Sequence, residues 1–185
     1  MKNVFISMLL LMMLSASVKA QMFITRNAKV TFFSKSAMEN IEAVNNEATS
    51  VFNASKNEFG FVVLVRSFKF KKAQMEEHFN EDYMESNTYP KAFFKGLIVD
   101  AGKLKLTADG SYPVSVKGDM SIHGISKNIE VPGVITVSQG IVSISAKFNI
   151  KLKDYNIKIP STVINNVAEV INITVNAKYE VYKKS

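Results

Sequence analysis

Residues 142–152 read VSISAKFNIKL, and the order of residues within that stretch decides the fold. Val142, Ile144, Ala146, Phe148, Ile150 and Leu152 alternate with Ser143, Ser145, Lys147, Asn149 and Lys151. Successive side chains of a strand point to opposite faces, so this is a strand with one apolar and one polar face. The pattern recurs at 114–122, where Val114, Val116, Gly118, Met120 and Ile122 alternate with Ser115, Lys117, Asp119 and Ser121. It recurs again at 171–181, with Ile171, Ile173, Val175, Ala177, Tyr179 and Val181 on the apolar side. Strands of this length exceed the usual run of about five or six residues.

Shorter strands are predicted at 28–35, 41–46, 49–54, 59–69, 92–99, 103–107 and 128–137. Turn signals separate them at Ala101-Gly102, Asp109-Gly110, Gly124 to Lys127 and Gln139-Gly140. Only residues 71–86, KKAQMEEHFNEDYMES, depart from period two, and they place Met75, Phe79 and Tyr83 on one helical stripe. Tyr89-Pro90 closes that short helix, because the residue before proline is pushed out of helical geometry. Many long antiparallel strands with one apolar face each predict an all-β fold, an antiparallel barrel of about eight strands with one short helix. Closure removes the exposed edges that a long sheet must otherwise protect. A two-sheet sandwich has the same periodicity and stays open as an alternative.

The N-terminus carries Lys2, an apolar run from Val4 to Leu14, and small residues up to Ala20. These are the parts of a secretory signal peptide. The run is shorter than the roughly 20 apolar residues that span a bilayer, and no later segment of the chain supplies a span. Residues 1–20 are therefore expected to be removed on export to the periplasm or the medium, leaving 21–185 as one soluble domain. Losing Lys2 and Lys19 takes 23 basic residues to 21 against 16 acidic ones, a net charge of +5 rather than +7. The excess is scattered, which argues against a dedicated nucleic-acid surface. With no cysteine there is no disulfide, thiol nucleophile, thiolate metal site or lipidated cysteine.

Three stretches carry a resemblance to a known family. HFNEDYMESNTYPKAFFKG (78–96) reads as a helix, a Tyr-Pro turn and a strand. VKGDMSIHGISKNIEVP (116–132) reads as a hairpin around a His-Gly turn. FNIKLKDYNIKIP (148–160) reads as a strand followed by an Asp-aromatic loop. In this order they resemble the YceI-like family of exported lipocalin-like barrels, and the likeness runs from about residue 23 to 182. Asn156 stands where that loop usually has glycine, and Asn27-Ala28-Lys29-Val30 replaces the family's His-Ser-containing start. The resemblance implies binding of a polyisoprenoid or similar amphipathic lipid, such as an isoprenoid quinone, with no cofactor.

An eight-stranded barrel is wide enough to be filled by side chains or to hold one elongated ligand. The expected channel wall is Phe32, Phe61, Val63, Val116, Met120, Ile122, Ile144, Phe148, Ile173 and Val175. Gly96, Gly118, Ala146 and Ala177 interrupt that face and are expected to leave room along the axis. Met75, Phe79 and Tyr83 are expected to cap the mouth, and Asp154, Tyr155 and Asn156 to lie near it and touch a head group. The same apolar residues could instead pack as the dry core of a secreted stress-response or interaction scaffold.

A hydrolase using His78 or His123 is a third reading. His78 lies among Glu76, Glu77, Glu81 and Asp82, but no His-Glu-x-x-His spacing supplies a second metal ligand. No Gly-x-Ser-x-Gly elbow supplies a nucleophile. Strand parity puts His123 on the polar row, as a surface or turn residue. The expectation is no catalytic residue, no metal site and no turnover; a homodimer is compatible with the sequence.

Overall fold

The computed structural model describes residues 21–36, 38–160 and 166–183. The expected signal peptide, residues 1–20, lies outside the described residues. Eight long strands form the wall: β1 (Met22–Lys35), β2 (Asn40–Asn53), β3 (Glu58–Leu64), β5 (Lys91–Ile98), β6 (Gly110–Ile122), β7 (Ile125–Ser138), β8 (Ile141–Lys151) and β9 (Val170–Lys178). Two-residue strands β4 (Lys69–Phe70) and β10 (Glu180–Val181) add to β2 and β1. Pairing runs β1-β9-β8-β7-β6-β5-β3-β2, and β2 returns to pair with β1. The sheet is thus a closed antiparallel barrel, and the sandwich alternative falls because β1 bonds β2 on one side and β9 on the other.

Bulges explain why the first two strands read as fragments. The register of β1 against β2 slips between Thr25 and Ala28 and again between Ala28 and Val30. Each slip inverts the inside–outside parity of the residues beyond it, so β2 looks like two short runs, 41–46 and 49–54, instead of one strand. Asn45 fixes the bend: its amide nitrogen donates to the Leu64 carbonyl at 2.8 Å, and its amide oxygen accepts from the Glu47 N–H at 2.8 Å.

Other boundaries also move. The expected strand 59–69 ends at Leu64, turns through a single 3-10 turn at Val65–Ser67, and resumes as β4 beside Ala43 and Val44. No strand forms at 103–107; Ala101–Lys103 is a 3-10 turn, and Leu104 and Leu106 reach the core from a loop. The expected helix is α1 (Ala73–His78), continued by a wider π turn over Phe79–Tyr83.

The β6–β7 turn is His123-Gly124 itself rather than Gly124 to Lys127. Both residues have positive φ, 51° and 76°, which is the two-residue turn whose twist matches an antiparallel hairpin. Ile122 then pairs directly with Ile125.

The barrel interior divides along its axis. One end is packed solid: Phe23 stacks on Phe52 at 5.9 Å and Phe52 on Phe59 at 4.2 Å, beside Val137, Val142 and Ala177. Ser50 and Tyr179 share a hydrogen bond of 2.7 Å inside this core, which satisfies both hydroxyls. The other end carries α1 and the loop after β8.

The Gly96–Gly118 pair does not open the axis as expected. The two residues face each other across β5 and β6, and a Cβ on Gly118 would lie 2.1 Å from the Lys95 carbonyl oxygen. A Cβ on Gly96 would meet the Phe94 ring at 2.8 Å, so these glycines let strands and a ring close in. Ala177 is likewise packed in the solid core.

Candidate functional site

Above the solid core the barrel holds a cavity of about 610 Å³, within the roughly 300–1,000 Å³ usual for small-molecule sites. Its deep wall is aliphatic and aromatic, built from inward residues of the long strands, with β2 contributing only Ile41. Val30, Phe59, Val116 and Ile135 belong to both the packed core and the cavity wall, with Ile144 and Val175 against them. Each of Phe32, Phe61, Val63, Val116, Met120, Ile122, Ile144, Phe148, Ile173 and Val175 stands on the cavity wall, and so does Ala146. Strand parity brings them there: Ile144 pairs with Ile135 across β7 and β8, and Phe148 with Ile173 across β8 and β9.

Four phenylalanines join the cap to this wall. Phe79 lies 5.4 Å from Phe32, 5.6 Å from Phe68 and 5.0 Å from Phe70, ring centre to ring centre. Met75 and Tyr83, one turn to either side, also line the cavity. Burial pushes the Tyr83 phenol up, with the Asp82 carboxylate adding to the effect. The cap is tied down from outside. Lys69 Nζ meets Glu76 Oε1 at 2.7 Å, and the Lys69 hydrogen bond holds the Glu76 carboxyl below its usual range. The Arg66 guanidinium donates to Ser86 and Asn87 beyond the helix.

Phe68, Phe70, Met84, Leu152 and Ile157 also line the cavity and were not expected there. Phe68 and Phe70 escaped because the strand breaks at Leu64 and resumes with a new parity. Ile157 escaped because it lies beyond the 3-10 turn Leu152–Tyr155, whereas Leu152 continues the apolar face read for 142–152.

Asp154, Tyr155 and Asn156 are not on the cavity wall. Tyr155 is buried in the packing beneath the turn, where desolvation raises its phenol, and Asp154 pairs with Lys127 at 3.3 Å on the outside. Asn156 has φ 55°, a left-handed conformation that asparagine tolerates well, which accounts for asparagine standing at a glycine position.

His123 sits in a turn but is not a surface residue; only 9% of its side chain is exposed. Its Nδ1 lies 3.2 Å from the Tyr155 carbonyl oxygen and its Nε2 2.8 Å from Glu85 Oε2. The Tyr89 ring packs edge-on at 4.5 Å and also closes over Gly124, where a Cβ would come within 2.7 Å of it. The Tyr-Pro turn, the His-Gly turn and the Asp-Tyr loop therefore meet at this imidazole.

His78 is exposed on the cap, with Nδ1 2.6 Å from Asp82 Oδ2. Among the described residues neither imidazole hydrogen-bonds a serine or threonine hydroxyl, and no three His, Asp or Glu residues are grouped to hold a metal. No helix among them is long and apolar enough to cross a membrane.

Residues 16–179 match the sequence model of the YceI-like domain. No curated protein matches the chain. Among solved structures, the fold is similar to a polyisoprenoid binding domain from Saccharophagus degradans implicated in plant cell wall breakdown. That likeness has a TM-score of 0.76 at 14% identity and covers 89% of this chain and 100% of that one. Burkholderia cenocepacia BcnA is similar with a TM-score of 0.69 at 19% identity, covering 83% and 96%. The Campylobacter jejuni YceI protein is similar with a TM-score of 0.61 at 16% identity, covering 80% and 88%.

Proposed function

Because the chain belongs to the YceI-like family, we propose that it binds an amphipathic lipid with a long apolar tail, of polyisoprenoid or isoprenoid quinone type. The tail would lie in the cavity by non-covalent burial, without turnover. The observation that carries this reading is the cavity of about 610 Å³ with an apolar wall, left open above a solidly packed core. A dry scaffold would have filled that volume with side chains, as the other half of the barrel does. An apolar tail gains about 25 cal/mol per Å² of surface removed from water, so it needs no specific polar contact along its length.

The residues proposed to touch the tail are those expected from the sequence, Phe32 to Val175, joined by Phe68, Phe70 and Ala146. Met75, Phe79 and Tyr83 would close over it, with the flexible thioether of Met75 accommodating tails of different shape. Export to the periplasm or the medium belongs to the same proposal and fits a carrier that takes lipid from a membrane. The test is displacement of a fluorescent prenyl probe from the purified protein. Saturable displacement by prenols and prenyl quinones supports the reading, and absence of probe binding to folded protein contradicts it.

A further inference from the structure

The ionisable side chains on the cavity wall, apart from the Tyr83 phenol, are Glu39, Lys72, His78 and Asp82 among the described residues. All four stand at the mouth, Glu39 in the β1–β2 turn and the others on or beside α1. They are also paired. Lys72 Nζ is 2.8 Å from Glu39 Oε1, and His78 Nδ1 is 2.6 Å from Asp82 Oδ2. The Lys72 ammonium and the His78 ring are thus each engaged by a carboxylate.

The surroundings lean the same way. Over residues 69–85 the chain carries Lys69, Lys71 and Lys72 against Glu76, Glu77, Glu81, Asp82 and Glu85. Lys69 is itself engaged by Glu76. On a chain of net charge +7 the mouth is locally acidic. Lys35, Lys91 and Lys151 do not offset this, since they are exposed on the outer face beside the inward Ser34, Ala92 and Leu152.

We infer that this mouth selects an uncharged head group that hydrogen-bonds, an alcohol or a carbonyl, and rejects a phosphate or diphosphate on the same tail. The inference rests on the lipid-binding reading and narrows it. A diphosphate would bring its charge beside Glu39 and Asp82, while Lys72, the one ammonium on the cavity wall among the described residues, is already engaged by Glu39. Juxtaposed like charge is one of the ways a site excludes a wrong ligand. An alcohol or carbonyl meets no such barrier. The Gln74 amide and the His78 ring nitrogen that Asp82 does not use offer it donors and acceptors at the rim.

The experiment compares farnesol, farnesyl phosphate and farnesyl diphosphate as competitors for one fluorescent prenyl probe, at low ionic strength. Farnesol is expected to bind at least about tenfold more tightly than the diphosphate, a difference of one decade in Kd. The double variant Glu39→Gln/Asp82→Asn leaves Lys72 unneutralised, and it should shrink that gap to about threefold or less, with the gain lost again as salt screens it. Asp82→Asn alone, at a half-exposed position, should move the gap in the same direction. Equal or tighter binding of the diphosphate to the unaltered protein overturns the inference and leaves lipid binding intact. So does a gap that neither variant changes. Failure of all three competitors and of the probe overturns the lipid-binding reading itself.

Discussion

The Phe79 ring on the cap lies nearly parallel to the Phe32 ring on the barrel wall, 5.4 Å away at an interplanar angle of 23°. Phe79 packs against Phe32, Phe68 and Phe70 together, so it fastens the cap to the cavity wall. Phe79→Ala removes those contacts and leaves the outer ties of Lys69 and Arg66 in place. The expected result is a loss of about 1–3 kcal/mol of stability, less than the 3–5 of a fully buried phenylalanine. Release of a bound prenyl probe should accelerate more than the fall in stability alone would account for. Stopped-flow displacement and urea unfolding on the same variant separate the two effects.

Ala146 pairs with Gly133 and Val175, and its methyl faces the cavity. Ala146→Trp places an indole in the space that the tail would occupy. Overpacking a full core costs about 1–3 kcal/mol, whereas an open cavity accepts the ring with little strain. Probe uptake should fall at least tenfold, on the order of one decade in Kd, with the thermal midpoint nearly unchanged. A large drop in stability with unchanged uptake contradicts the placement of the tail.

Gly118 has a Lys95 carbonyl oxygen 2.1 Å from where a Cβ would stand, whereas Gly60 has nothing within 4 Å. Gly118→Ala must therefore separate β5 from β6 and is expected to destabilise by about 2 kcal/mol or more, among the larger effects of single substitutions. Gly60→Ala is expected to fall within about 0.5 kcal/mol of the parent, as surface changes usually do. Chemical denaturation of the two variants checks the contrast.

Tyr179 is buried in the closed half, and burial pushes its phenol well above the ordinary value of 10.0, opposed in part by the hydrogen bond with Ser50. A folded-state value above the unfolded one means that the protonated phenol contributes stability at all pH values below about 10. That contribution is lost as pH rises from there towards the folded-state value. Burial raises Tyr83 and Tyr155 in the same sense, so the diagnostic quantity is a difference. The stability of the parent should fall above pH 10 more steeply than that of Tyr179→Phe. At neutral pH Tyr179→Phe should cost about 1–2 kcal/mol, because it leaves the Ser50 hydroxyl buried without its partner.

His123 ties three segments distant in sequence, through Glu85, Tyr155 and the Tyr89 ring. His123→Ala removes all three contacts from a residue whose φ is 51°. Because Glu85 is half exposed, the expected loss is modest, about 1–2 kcal/mol. Limited proteolysis should show earlier cleavage in the segments around 85–89 and 153–160 than elsewhere.

Much of this architecture is legible in the sequence, for a physical reason. From β6 onward the wall keeps a strict period of two, because those strands pair without register slips, and Val142 to Leu152 or Ile171 to Tyr179 read directly as inner faces. The β1–β2 pair was harder to read, since its bulges invert parity and Asn45 and Ser50 stand inside where apolar residues are looked for. Periodicity reports which side a residue faces and not how far down the axis it lies. It could therefore not distinguish Phe52 in the solid core from Phe61 on the cavity wall. Glycine on an inner face was equally ambiguous: Gly118 permits close strand approach and adds no room. The mouth was the least legible part, because Lys72–Glu39 and the inward Ile157 depend on turns whose geometry no local pattern encodes.

The most direct measurement is the content of the cavity itself. The protein is purified without detergent from the cells that make it, its folded state is verified, and it is extracted with organic solvent for mass spectrometry. The account predicts recovery of a lipid with a long apolar tail, close to one per chain, that is absent from the extract of Ala146→Trp. Well-folded protein that yields no such lipid, and that takes up no added prenol or prenyl quinone, contradicts it.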